Sequence, residues 1–340
     1  MKKIRLAING FGRIGRITFR SLISNKNIEV IAINDITDAK TLAHLLKYDS
    51  VQGRFPGNVE VNNSHITVNG KRIKVFSRKD PEKLPWKDLN IDIVIESTGK
   101  FISKATANKH IIAGAKRVII SAPAKGESKH IKYIVLGIND HIISKDDLII
   151  SNSSCTTNCV APLIQILDEN WGIEKGFITT VHSYTKDQNL LDAPHKDLRR
   201  GRAAAYSIVP TTTGAAKAAT RIFPHLTKNL GGSGIRVPVP NGSLTDLTCT
   251  LRKPTSIKKI NQAFKDAAEN KFKGILEYTE DPIVSIDIIG NTNSAIFDAG
   301  LTAVLGDKNK FVKVIAWYDN EMGYSTRMVE LVEKFGAFIK

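Results

Sequence analysis

The chain has 340 residues, 42% of them hydrophobic and 24% charged, the balance of a globular protein long enough for more than one core. Its cysteines, Cys155, Cys159 and Cys249, are too few and too unevenly placed for a secreted disulfide framework, and no apolar run is long enough to span a bilayer. The +16 formal charge, from 49 Lys and Arg against 33 Asp and Glu, is scattered rather than gathered in a stripe with aromatics; it points to small anionic ligands, not a dedicated nucleic-acid site.

The opening Met1-Lys-Lys-Ile-Arg-Leu-Ala-Ile-Asn-Gly is broken by Arg5 and carries no signal-peptide core, so a cytoplasmic protein is expected. Residues 4–9 read as a strand and 13–24 as a helix, and between them stands Gly10-Phe11-Gly12-Arg13-Ile14-Gly15. These glycines suit a tight turn, close approach of backbone to pyrophosphate, and helix–strand packing, with the helix N-terminus facing the phosphates. A second strand over 28–34 ends at Asn34-Asp35. An acid there accepts hydrogen bonds from adenosine ribose hydroxyls and repels a 2′-phosphate, which favours NAD over NADP. The competing role for Asp35 is capping the following helix, 39–46.

Short β-rich segments follow at 59–61, 66–68 and 73–75, with Asn69-Gly70 as a hairpin turn. Strands over 91–96 and 118–121 flank a helix over 104–113, and 133–136 reads as a further strand. This alternation predicts an α/β Rossmann domain with a doubly wound parallel sheet. The domain boundary falls near residues 152–155.

Ser154-Cys155-Thr156 precedes the apolar helical run 160–167, so Cys155 is expected at a helix N-terminus, a position that lowers a thiol pKa and exposes the thiolate. Ser154 and Thr156 are suited to hold phosphate oxygens. Cys159, four residues on, reads as an inert buried thiol, and the cysteine spacing is wrong for a zinc site, so no metal is expected. A strand over 176–182 ends at His182, a candidate base for the thiol. Strands over 234–239, 244–251, 284–287 and 312–317, with a helix over 257–269, predict an α+β catalytic domain with a mostly antiparallel sheet. A closing amphipathic helix over 323–339 is expected to pack back on the first domain.

Asn9-Gly-Phe-Gly-Arg-Ile-Gly-Arg16, Ser154-Cys-Thr-Thr-Asn-Cys159, Thr213-Gly-Ala-Ala-Lys217 and Trp317-Tyr-Asp-Asn-Glu321 occur in an order and spacing that resemble the phosphorylating glyceraldehyde-3-phosphate dehydrogenases of bacterial type, end to end. The resemblance implies residues 1–154 as an NAD-binding domain completed by a C-terminal helix over 320–340, and 155–319 as the catalytic domain. It implies glyceraldehyde 3-phosphate and inorganic phosphate as substrates, a Cys155 thioester with His182 as base, and a homotetramer. By the same likeness Thr185 and Arg236 match residues that bind the substrate's phosphate. Ser154, Thr156, Thr213 and Gly214 match the site for attacking phosphate, with Arg200 close to both anions. Arg13 and Ile14 match the pyrophosphate-contacting backbone, Asp35 the ribose acid, Ser121 a cofactor contact, Asn320 the nicotinamide carboxamide partner, and Tyr324 a ring on the nicotinamide.

Lys79 stands where many relatives have arginine, Ala193-Pro194 is intermediate between NAD-specific and dual-cofactor patterns, and Asn241-Gly-Ser243 departs from the commoner Asn-Val-Ser. An erythrose-4-phosphate dehydrogenase would use the same thiol chemistry but end with water, and Thr213, Gly214 and Arg200 favour phosphate instead. A semialdehyde dehydrogenase leaves Thr185 with Arg236 unexplained, and a nucleic-acid-binding module leaves the cysteine block unexplained.

Overall fold

Short runs buried on both faces, separated by amphipathic helices, build the first half of the chain into a parallel sheet. The structure, a computed structural model, describes residues 3–126 and 131–339; residues 1, 2 and 340, at the ends of the expected first domain, lie outside the described residues. Strand β1 (Ile4–Asn9), helix α1 (Arg13–Leu22), β2 (Ile28–Asn34) and α2 (Ala39–Lys47) come first. Next are β3 (Val59–Asn62), β4 (His65–Val68) and β5 (Lys71–Phe76). Asn69 and Gly70 join the last two with φ of 49° and 77°, the left-handed pair a tight hairpin turn needs. The unit continues through β6 (Ile93–Glu96), α3 (Lys104–Ile112), β7 (Arg117–Ile120), β8 (Lys132–Tyr133) and β9 (Ile149–Ser151).

Among the described residues these strands form one sheet in the order β3-β4-β5-β2-β1-β6-β7-β9-β8. It is parallel except at β3–β4 and β4–β5. The chain leaves β1 for β2 on one side and later returns to β6 on the other. That reversal opens a crevice at the carboxyl ends of β1 and β6, the doubly wound arrangement expected.

The second half comprises α4 (Cys155–Trp171), β10 (Ile173–Ser183), β11 (Val209–Thr211), α5 (Ala215–Ile222), β12 (Leu230–Val237) and β13 (Ser243–Leu251). It ends with α6 (Ile257–Glu269), β14 (Leu276–Thr279), β15 (Ala295–Asp298), β16 (Ala303–Leu305), β17 (Phe311–Tyr318) and α7 (Met322–Gly336). The sheet order is β11-β12-β10-β13-β17-β15-β14, with β16 also on β17, and only β10–β12 and β14–β15 are parallel. Along β13 burial alternates residue by residue, so one face meets the helices. There Leu163, Leu167 and Trp171 of α4 and Ile260 and Phe264 of α6 pack with Ile178, Leu247, Phe297 and Val314.

The chain resolves into two compact units. The first takes the described residues up to Ile134, His141–Ser153 and those from Ser325 on; the second takes Val135–Asp140 and Ser154–Tyr324. No helix among the described residues is long and apolar enough to cross a membrane.

Three expectations need correction. Residues 284–287 alternate like a strand but form a turn, in which the Val284 amide donates to Asp287 Oδ2 at 2.7 Å and the Asp287 amide to the Val284 carbonyl at 3.0 Å. Val284 and Ile286 are 54% and 66% exposed, so no core face held that alternation in a strand. The expected strand at 133–136 shrinks to β8, because the Val135 amide is taken by the Asn139 side chain at 2.8 Å. Strands β9, β11, β14, β15 and β16 escaped detection; β9 and β15 are buried at every position and show no alternation.

Phe264 and Phe297 stack with centroids 3.9 Å apart and planes 13° from parallel, both fully buried. Truncating Phe264→Ala leaves a cavity that α6 cannot close and should cost about 3–5 kcal/mol of unfolding free energy, read by urea denaturation. A loss under about 1 kcal/mol would mean that this stack does not anchor the helix to the sheet.

Candidate active site

One candidate site is a glycine-lined cradle in the first unit. Gly10 closes β1 with φ +90°, and a Cβ there would lie 2.7 Å from the Thr98 amide nitrogen. A Cβ on Gly15 would collide with the Gly10 carbonyl oxygen, whereas one on Gly12 would meet nothing within 4 Å. Two glycines thus allow the tight turn, and the third faces open space at the start of α1. No side chain caps α1 at Gly12, so its first amides remain available to an anion. Phe11 turns its ring into the core against Phe19, and its amide donates to Asp35 Oδ2 at 2.8 Å.

Asp35 lies just beyond β2 and also accepts from the Thr37 amide at 3.1 Å. The helix-capping alternative for Asp35 fails, since Asp38 accepts from the Thr41 amide and caps α2. Arg13 and Ile14 are half-buried in the first turn of α1, with Arg13 paired to Asp49 at 2.6 Å. Ser121 follows β7, its amide donating to the Glu96 carbonyl at 2.9 Å, and Lys79 is exposed beyond β5. An open glycine, an uncapped helix start and an acid on the neighbouring strand fit a dinucleotide such as NAD.

A second candidate site belongs to the second unit. Ser153 has φ 56°, a left-handed turn that precedes α4. Ser154 caps α4 by accepting from the Thr157 amide at 3.1 Å, which places Cys155 in the first turn as expected. Its Sγ lies 3.5 Å from His182 Nε2. His182 Nδ1 is 2.7 Å from the Ser183 carbonyl oxygen. With the proton on Nδ1 and donated to that carbonyl, the Nε2 lone pair faces the thiol, as a general base requires.

Parallel register pairs His182 with Arg236 across β10 and β12, and antiparallel register pairs Val209 with Arg236 across β11 and β12. Arg236 Nη1 accordingly sits 2.5 Å from His182 Nδ1 and 3.0 Å from the Ser183 carbonyl. Burial, then the Arg236 cation, pull the His182 imidazole down from 6.5 to about 3. Burial pushes the Cys155 thiol up, with Arg236 opposing. Burial thus works against the lowering of the thiol pKa expected of a helix start. Cys159 and Cys249 are buried and both pushed up, Cys249 to about 12, which suits inert thiols.

Arg200 donates through Nε to Thr211 Oγ1 at 2.9 Å and through Nη2 to the Thr212 carbonyl at 3.1 Å, and it pairs with Asp187. It is close enough to depress His182 further. Thr213 Oγ1 accepts from the Ala215 amide at 3.2 Å, and Gly214 opens α5 with no neighbour where a Cβ would stand. Thr185, just past β10, bonds to Gln188 through its carbonyl at 2.9 Å.

Thr156 turns inward, its hydroxyl 2.9 Å from Tyr318, while Ser154 Oγ lies 2.7 Å from Thr157 Oγ1. Asn320 accepts at Oδ1 from Ser183 and Ser243 hydroxyls at 2.8 and 2.9 Å, and Tyr324 is buried. Sequence reasoning missed Tyr318, whose hydroxyl also reaches Thr180 at 2.8 Å, and it missed Ser183 and Ser243, which orient Asn320. Their only signal was proximity to the motif 317–321 and to strand ends that only register brings together. Among the described residues no three His, Cys, Asp or Glu side chains are grouped to hold a metal ion.

Comparison with known proteins accords with this geometry. Residues 4–104 match the family described as glyceraldehyde 3-phosphate dehydrogenase, NAD binding domain, and 154–320 the corresponding C-terminal domain. The chain is 56% identical over 331 residues to a glyceraldehyde-3-phosphate dehydrogenase of Thermotoga maritima, covering 97% of this chain and 98% of that one. Against the enzymes so named from Borreliella burgdorferi and Geobacillus stearothermophilus, identities are 55% over 339 residues and 54% over 329. These alignments cover 97% and 96% of this chain and 99% and 97% of the relatives.

The depressed His182 has a measurable consequence. Between pH 6.5 and about 3 the unfolded imidazole binds a proton that the folded one refuses, so stability drains away as pH falls through that window. His182→Asn should remove this contribution, leaving the drop in unfolding free energy from pH 7 to 4.5 about 2 kcal/mol smaller than in wild type. Identical acid limbs in urea titrations would show that His182 ionises freely.

Proposed function

The chain belongs to the glyceraldehyde-3-phosphate dehydrogenase family, and on that footing we propose that it oxidises D-glyceraldehyde 3-phosphate to 1,3-bisphosphoglycerate with NAD and inorganic phosphate, through a thioester on Cys155. The observation that carries this reading is the approach of Cys155 Sγ to His182 Nε2 at 3.5 Å beside the half-buried Arg236. NAD, which the Gly10–Gly15 turn with Phe11, Arg13, Ile14, Asp35, Lys79 and Ser121 of the first unit would hold, supplies a hydride acceptor when bound; Asn320 and Tyr324 of the second unit are the residues the family likeness assigns to its nicotinamide.

His182 Nε2 takes the thiol proton as sulfur adds to the aldehyde carbon, giving a hemithioacetal. His182 gives that proton to the alkoxide oxygen formed in the addition, then takes the hydroxyl proton as hydride leaves the same carbon, which leaves a thioester and a proton to return to the sulfur later released. A phosphate oxygen attacks the thioester carbonyl, the C–S bond breaks, and the acyl phosphate departs with Cys155 restored. Arg236 with Thr185 suits the substrate's phosphate; Arg200, Ser154, Thr156, Thr213 and Gly214 suit the attacking one. A substrate phosphate on Arg236 also relieves the cation pressing on His182, easing its protonation when the thiol is consumed. The free thiols and the likeness to bacterial relatives support a cytoplasmic location.

Homotetramer formation is part of the same proposal. Phe177, Leu305 and Phe311 on the second sheet are 49%, 60% and 46% exposed, and Leu198 and Tyr206 in the β10–β11 connection 84% and 86%. Large apolar groups bared together are surfaces that subunits cover.

Turnover of glyceraldehyde 3-phosphate with NAD, followed as NADH, should require inorganic phosphate and vanish in Cys155→Ser. Turnover indifferent to phosphate would instead mark a hydrolytic enzyme, and none at all would sink the reading. Light scattering should give four times the 37.4 kDa chain mass; a monomer would remove the assembly proposal.

A further inference from the structure

The last residues of three neighbouring parallel strands form a polar row inside the first unit. Register pairs Asn9 of β1 with Asn34 of β2 on one side and with Glu96 of β6 on the other. All three are buried, Glu96 completely. Asn9 Nδ2 donates to Glu96 Oε2 at 2.5 Å, and Asn34 Nδ2 donates to Asn9 Oδ1 at 2.7 Å. Asn34 then clasps the backbone of Arg78, donating to its carbonyl at 3.0 Å and accepting from its amide at 2.8 Å. Glu96 Oε1 accepts from the Thr98 amide at 2.8 Å and from the Thr98 hydroxyl.

Buried His110 closes the row. Trp86 Nε1 can only donate, and it lies 3.0 Å from His110 Nδ1, so that nitrogen accepts and His110 Nε2 carries the proton it gives to Glu96 Oε2 at 3.0 Å. The bonds from Asn9, His110 and Thr98 therefore converge on one carboxylate that only accepts, while Asn34 donates both to Asn9 and to the Arg78 carbonyl. This direction fixes both asparagine amides: Asn9 must offer nitrogen to Glu96 and oxygen to Asn34, and Asn34 must in turn offer nitrogen to Asn9. The chain neighbours of these residues are Gly10, Asp35, Lys79 and the Ser97–Thr98 pair against which Gly10 packs.

We infer that Glu96 and His110, with Asn9 and Asn34, are positioning residues that set the register of the glycine turn, Asp35 and the Lys79 segment for the adenosine and pyrophosphate portion of NAD. The inference rests on the proposed use of NAD. Glu96→Gln keeps the side-chain shape but replaces an accepting oxygen by a donating NH2, which then faces either the Thr98 donors or Asn9 and His110. One donor–donor conflict is unavoidable, and it falls on the cradle rather than on the core.

The test measures NAD dissociation constants by calorimetry on the full-length protein, with the alkylation rate of Cys155 by iodoacetamide in NAD-free samples alongside. Glu96→Gln should weaken NAD about tenfold, the size of one lost hydrogen bond to a charged group, and leave the alkylation rate within about twofold. Asn34→Ala, at the other end of the row, should weaken NAD similarly, and the double variant should fall well short of the product of the two effects. If both single variants bind NAD like wild type, or if their effects multiply independently, the row is only a structural filler and the inference is wrong. Should Glu96→Gln fail to fold, Asn34→Ala paired with His110→Gln carries the same comparison. Wild type that does not bind NAD would overturn the proposed function itself, a result distinct from failure of the variants.

Discussion

One parallel pairing organises the chemistry of the second unit. Strands β10 and β12 run side by side in the same direction, in a sheet whose pairs are otherwise antiparallel apart from β14–β15. A parallel pair cannot close through a tight turn, so the chain must make a long excursion between Ser183 and Leu230. That excursion carries Thr185, Arg200, Thr213, Gly214 and helix α5. The register of the pair sets His182 beside Arg236, and β11, folded from the same excursion, extends the sheet on the other side of Arg236. A single topological requirement thereby brings His182 within reach of Cys155 and carries the segment from Thr185 to Gly214.

The electrostatics of this cluster follow from burial more than from any one partner. Arg236 donates to the Ser183 carbonyl and lies against His182 Nδ1, which is itself 2.7 Å from that carbonyl. With little water to screen the cation, the imidazole stays neutral, which is the form that can accept a proton from sulfur. Arg200, by contrast, is balanced by Asp187 and Asp197 and keeps its fork oriented toward the 211–214 segment. The two arginines thus differ in readiness: one presses on the base, the other is already steadied by carboxylates.

The first unit solves a different problem, holding backbone in place where side chains are forbidden. Glycine at positions 10, 12 and 15 removes the very groups that would lock the turn, so order has to come from outside it. The Ser97 hydroxyl donates to the Gly10 carbonyl at 2.6 Å, Asp35 receives the Phe11 amide, and the buried row ending at Glu96 sets the strand ends beneath. A permissive loop is made rigid by neighbours that are not permissive at all.

What the sequence determined by itself was local. The glycine turn between β1 and α1, the acid after β2 and the cysteine at a helix start are readable because each depends on steric and hydrogen-bonding rules acting over a few residues. The alternation of the first half also announced a doubly wound sheet, since burial on both faces leaves continuous apolar runs. Tertiary structure decided the rest. Residues 284–287 alternate like a strand yet turn in solvent, because periodicity cannot say whether a core faces it. Capping of α2 was a competing role for Asp35 until backbone geometry gave that role to Asp38. Tyr318, Ser183 and Ser243 reach the site only through register, and burial pushes the Cys155 thiol up, against the lowering expected of the helix start beside it. Desolvation and register are properties of the packed chain, and no short stretch of residues contains them.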